Sequence, residues 1–143
     1  MKNARLGFGF AAIGACVALS ACVGTPLGGT VKKEYKKTVV SGQASKLQGT
    51  VLIKEDCTFL SYPYLAVIDP PAHGKVDISH GEVHPSFAAG SPVYSCRNMP
   101  FQGNIITYTS DPGYVGTDRF TLRLAGLHVR EIDDETVTVN VVR

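Results

Sequence analysis

The last third of the chain alternates so strictly that it leaves little choice of secondary structure. In Thr136–Val142, Val137, Val139 and Val141 alternate with Thr136, Thr138 and Asn140, and Phe120, Leu122 and Leu124 alternate with Thr121 and Arg123 in Arg119–Leu124. A period of two puts every second side chain on one face of a strand, so each run has one apolar face that a second layer must cover. Five more short runs, Thr50–Lys54, Tyr64–Ile68, Lys75–Ser79, Val93–Cys96 and Asn104–Thr109, bring the expected strands to seven. Fifteen glycines and eight prolines punctuate the pattern and disfavour helix. No stretch holds a helical period over three turns, although Ala125–Glu135 has room for one short turn. The pattern predicts an all-β sandwich or barrel.

The amino-terminal segment belongs to a different kind of sequence. Lys2 and Arg5 are followed by an uncharged run from Leu6 to Cys22, and Gly24, Thr25, Pro26, Gly28, Gly29 and Thr30 then close it. A positive start, a short apolar stretch and small residues are the marks of a secretory signal. A transmembrane helix needs ~20 consecutive apolar residues, and this run ends short of that. Leu19-Ser20-Ala21-Cys22 resembles the lipobox of bacterial lipoprotein signal peptides at all four positions. The resemblance implies a signal peptide over 1–21, a diacylglycerol on the Cys22 sulfur and acylation of the new amino terminus. Two or more acyl chains hold a protein stably on a membrane, where one does so only marginally. In that family an aspartate after the cysteine retains the product at the inner membrane. Val23 stands there, which favours the outer membrane of the cell envelope.

Cleavage before Cys22 leaves 122 residues and removes two of fourteen basic side chains, so twelve Lys and Arg then balance twelve Asp and Glu. A formally neutral chain lacks the positive field of a nucleic-acid binder, and no nucleic-acid partner is expected. Residues 22–45 are rich in Gly, Ser, Thr and Lys, a composition that suits a flexible tether, with Thr38-Val39-Val40 as a possible strand start. The folded domain is then expected over 46–143.

The stretch DPGYVGTDRF, residues 111–120, raises the question of whether Asp118 is chemistry or scaffold. Pro112 presets the second position of a tight turn and Gly113 accepts a positive φ at the third. Gly116 supplies another such position, and Asp118 is placed to accept backbone N–H groups at the start of the next strand. Pro71-Ala72-His73-Gly74-Lys75-Val76, then Tyr108, Gly113-Tyr114, Gly116, Asp118 and Phe120, then the valine strand, together resemble the cadherin-like and immunoglobulin-like repeats of bacterial surface proteins. The resemblance covers residues 64–142 in broken form. It implies a β-sandwich of about 100 residues that binds, spaces or adheres, with Gly74, Pro112, Gly113, Gly116 and Asp118 in structural turns. Between Val76 and Tyr108 this chain is longer than the family's pattern, by a segment that includes HGEVHPSFAAGSPVYSCRN. The aspartate-rich calcium junctions of tandem repeats are missing from it. Tyr94-Ser95-Cys96 is similar to the Tyr-x-Cys of antibody-type domains, but the chain has no tryptophan to pack against it.

With Cys16 lost in the signal and Cys22 lipidated, Cys57 and Cys96 remain as an even pair in an exported chain, which reads as a disulfide. His80, Glu82 and His84 would share one face of a strand and form a zinc or copper site, but Gly81 and Pro85 argue for a turn and surface exposure. Asp133-Asp134-Glu135 has no calcium-loop spacing and reads as a solvated turn before the last strand. No nucleophile elbow, phosphate-cradling loop or nucleophile–base pair appears, so neither an enzyme nor a cofactor is expected. The expected function is a lipid-anchored module that contacts an envelope protein or glycan through segment 79–104, with a small metal-binding lipoprotein as the alternative.

Overall fold

A computed structural model of the protein describes residues 29–126 and 132–143; the signal segment 1–21, Cys22 and Val23 lie outside them. The strands are β1 (Thr30–Val40), β2 (Ser45–Thr50), β3 (Leu52–Ile53), β4 (Phe59–Ser61), β5 (Tyr64–Asp69), β6 (Gly74–Val83), β7 (Phe101–Ser110), β8 (Gly116–Ala125) and β9 (Ile132–Val142). They form a four-stranded sheet in the order β1-β9-β8-β5, a three-stranded sheet in the order β2-β7-β6, and the small ribbon β3-β4. The alternation in β8 and β9 does what its period requires: Phe120, Leu122, Leu124, Val137, Val139 and Val141 all point into one core, where Ile106 and Tyr108 of β7 meet them from the other sheet. The result is an all-β sandwich. With the ribbon set aside, the seven long strands follow the immunoglobulin-type order, except that the first pairs in parallel with the last.

That first strand corrects the expected tether. Residues 30–40 are not a spacer but an eleven-residue edge strand in continuous register with β9, from Thr30 beside Ile132 to Val40 beside Val142. Its lysines hid it. An edge strand buries little, and lysines there discourage pairing with other chains, so the apolar signal of a central strand is missing. Only Val39 enters the core, while Lys33 reaches back to Asp133 at 2.8 Å. The folded domain therefore begins at about residue 30, not 46.

A second, smaller core lies on the outer face of the three-stranded sheet. Phe101 and Ile105 stand on the opposite side of β7 from Ile106 and Tyr108, and they pack with Val51, Val83 and Cys96. Glycine makes this possible by absence of bulk: a Cβ at Gly103 would lie 2.5 Å from Val83 Cγ2 and 2.6 Å from the Thr50 carbonyl oxygen. The lid over this core is the β3-β4 ribbon together with residues 84–100, joined by the Cys57–Cys96 disulfide. Two boundaries move accordingly. The long connection runs from 84 to 100, because β6 extends to Val83 and β7 begins at Phe101. Val93–Cys96, expected as a strand, instead contains a single 3-10 turn over Tyr94–Cys96.

Candidate functional site

The two poles of the sandwich have different chemistry. At one pole Asp118, 4% exposed, accepts hydrogen bonds from Tyr108 Oη at 2.8 Å, from the backbone N–H groups of Ala72 and His73 at 3.0 Å, and from that of Arg119 at 2.8 Å. Burial pushes this carboxyl up, but the Tyr108 hydroxyl and the three N–H donors outweigh it and hold the group below its ordinary range. The Tyr108 phenol is driven far above its ordinary value by burial and by the carboxylate it faces. Around this lock the His73 and Tyr114 rings stack at 4.2 Å, and Tyr114 Oη donates to the Thr117 carbonyl. Gly113 has φ +79° in a turn closed by the Tyr114 N–H on the Asp111 carbonyl. A Cβ at Gly74 would lie 2.8 Å from the Tyr108 hydroxyl. These residues bolt the β5–β6 and β7–β8 turns together, and every acceptor position on Asp118 is committed to that structure.

The opposite pole carries a group of exposed aromatic side chains, whereas the exposed apolar residues of the first, Val40, Ile68 and Val115, are aliphatic. Thr30, Ile132, Ala125 and Tyr64 lie side by side across the four-stranded sheet, so the start of β1 and the start of β5 mark the same end. Here Phe59, Leu60, Tyr62 and Tyr64 are 45%, 54%, 39% and 61% exposed, far more than aromatic and branched side chains of a core. Their backbone is held in place. Asn104 Nδ2 donates to the Pro63 carbonyl at 3.0 Å, fixing the segment between Tyr62 and Tyr64. Asp56 Oδ1 accepts from both the N–H and the hydroxyl of Thr58, and Cys57, at φ +63°, is tied to Cys96. In the sequence the run Phe59-Leu60-Ser61-Tyr62-Pro63 neither alternates nor matches a motif, and of this group only Tyr64 falls in an expected strand. The density of aromatics beside Cys57 was the available signal.

The histidine alternative does not assemble. His80 lies on β6 with its ring flat on Tyr62 at 4.0 Å, and Tyr62 in turn meets Phe59 edge-on at 5.2 Å. His84 stands beyond the strand end, with Nε2 3.7 Å from Glu82 Oε1. Among the described residues no three His, Cys, Asp or Glu side chains converge as a metal would require.

The acidic run is also corrected. Asp133-Asp134-Glu135 is not a solvated turn but the first part of β9, with alternate residues facing inward. Asp133 pairs with Lys33, Asp134 binds Arg123 through two bonds of 2.8 Å on the outer face, and Glu135 accepts from Gln48 Nε2 at 3.2 Å. Burial pushes the Glu135 carboxyl above its ordinary value, against the opposing pull of Gln48 and Lys33. The stability this group contributes is thus complete below about pH 4.5 and is lost as the pH rises through the higher folded-state value. Glu135→Gln is expected to raise the melting midpoint at neutral pH by roughly a few degrees and leave it unchanged near pH 4, which thermal melts at the two pH values would check.

No protein-family model and no curated protein matches this chain. Among solved structures it is similar to the solution structure of amebosin, at 14% identity and a TM-score of 0.37 over 80% of this chain and 100% of that one. A likeness this low carries no functional argument.

Proposed function

We propose that the chain is a lipid-anchored cell-envelope protein whose β-sandwich works by contact with an envelope protein or glycan, without catalysis. The observation that carries this reading is the disulfide-pinned connection 84–100. It is held over its own hydrophobic floor and presents Tyr94 and Met99 to solvent, with the Arg97 guanidinium 4.1 Å above the Tyr94 ring. Long connections on a rigid sandwich are where recognition surfaces are built, and aromatic, Met and Arg side chains are enriched in them. The disulfide fits an oxidising compartment outside the cytosol. The four lipobox positions support attachment through Cys22, and Val23 supports the outer membrane.

Two experiments test this. Cys22→Ser is expected to yield an unlipidated form that leaves the membrane fraction, whereas undiminished partition with membranes would remove the anchor from the reading. For the contact surface, deleting residues 80–103 would take away strand ends and Cys96, so surface substitutions serve better. Crosslinking in intact envelopes is expected to lose its main adducts in a Tyr94→Ala, Met99→Ala double variant. Recovery of the same adducts would mean that the connection is not the contact.

A further inference from the structure

The aromatic strip at the other side of the disulfide is not used by that reading, and it lies at the end of the sheet where β1 begins, eight residues after Cys22. We infer that Phe59, Leu60, Tyr62 and Tyr64 rest on the lipid surface to which Cys22 is attached; this rests on the lipid-anchor reading above.

The geometry follows from strand register and chain length. Thr30 is three strands from Tyr64 at the same end of the sheet, which at ~4.8 Å per strand is roughly 14 Å. Eight residue steps separate Cys22 from Thr30. Whatever conformation they take, they span at most about 28 Å. A tether of twenty-four residues, as composition suggested, would have let the domain stand well clear of the bilayer; β1 withdraws most of that length. The pole that carries the exposed aromatics is therefore the pole held against the membrane, and a tether this short keeps it at high local concentration there.

The side chains suit that place. Tyrosine is favoured at the membrane interface, with its ring among the acyl ends and its hydroxyl at headgroup level, while Phe59 and Leu60 offer purely apolar area beside it. Tyr64 has Ile132, also exposed, next but one across the sheet on the same face. The charges around the strip are mixed, with Lys54 followed by Glu55 and Asp56 on the ribbon turn. Contact is thus apolar rather than electrostatic, and should resist salt.

The chain has no tryptophan, so single reporters can be placed cleanly. The lipidated full chain carrying Phe59→Trp or Tyr64→Trp would be reconstituted into vesicles of phosphatidylethanolamine and phosphatidylglycerol with brominated acyl chains. Val115→Trp, at the exposed turn of the opposite pole, is the comparison. The strip reporters are expected to shift to the blue and to be quenched several-fold more than Val115→Trp, with no change in molar salt. A protein that floats with vesicles while all reporters stay unquenched overturns this inference and leaves the anchor standing. One that fails to float overturns both. A blue shift without quenching would show the strip buried against protein, and would also overturn it.

Discussion

Asp118→Ala is expected to destabilise the domain by roughly 3–5 kcal/mol, a large share of the total stability of a domain this size. The substitution takes one carboxylate from four donors at once. The N–H groups of Ala72, His73 and Arg119 would lose this acceptor, and the hydroxyl of the fully buried Tyr108 would keep only the His73 carbonyl at 3.3 Å. At the scale of a hundred-residue domain, the melting midpoint should fall by on the order of 15 °C. Asp118→Asn should cost nearly as much, because whichever way the amide is turned its NH2 faces at least one backbone N–H, a group that can only donate. Tyr108→Phe should cost less, roughly 1–2 kcal/mol, since three N–H donors remain on the carboxylate. A double-mutant cycle between the two positions would show strong coupling. The pH dependence has a definite sign. The folded-state carboxyl is held below its ordinary value of 3.8, so the stability it contributes is complete above about pH 4 and is lost as the pH falls through the lower folded value. In Asp118→Asn that acid limb should flatten, and thermal melts between pH 2 and 5 would reveal it. Equal melting points for wild type and Asp118→Asn would mean that the lock is not what holds the two turns together.

The same residues show what a sequence can and cannot disclose. Strict alternation in β8 and β9 is a direct consequence of one face being buried, so both the sandwich and much of its core could be read from it. The turn at Pro112-Gly113 was equally legible, since only certain residues take its dihedrals. Asp118 was read as a local cap, but three of its four donors come from other parts of the chain, ten to forty-six residues away. Such partners leave no trace in spacing. The strand β1 was missed for the opposite reason. Its lysines are an adaptation to an edge, and an edge strand is defined by a neighbour the sequence does not name. Asp133 and Glu135 misled in the same way: acidic residues facing inward are unexpected until Lys33 and Gln48 are seen beside them. The density of aromatics beside Cys57 marks the strip in the sequence but not its exposure, which is set by what fails to pack on top.

Removing the Cys57–Cys96 bridge, by reduction or as Cys57→Ala with Cys96→Ala, is expected to lower stability by about 2–4 kcal/mol, with roughly 4 kcal/mol as the entropic ceiling for a loop of 39 residues. The loss should be local in character. The main core draws on β1, β2 and β5–β9 and contains neither cysteine, whereas the second core is built around Cys96 and, among the described residues, is closed by the ribbon and the connection 84–100. Amide exchange should therefore quicken many-fold in residues 52–61 and 84–100 while β8 and β9 keep their protection. Loosening that lid would free both of the proposed contact surfaces, since Tyr94 and Met99 lie on the connection and Phe59 and Tyr62 on or beside the ribbon. A reduced protein should thus retain its sandwich yet lose its envelope crosslinks and the lipid quenching of a Phe59→Trp reporter together. If reduction unfolded β8 and β9 as readily as the ribbon, the two cores would form one cooperative unit, and the disulfide would act on the fold as a whole rather than on the surfaces it pins.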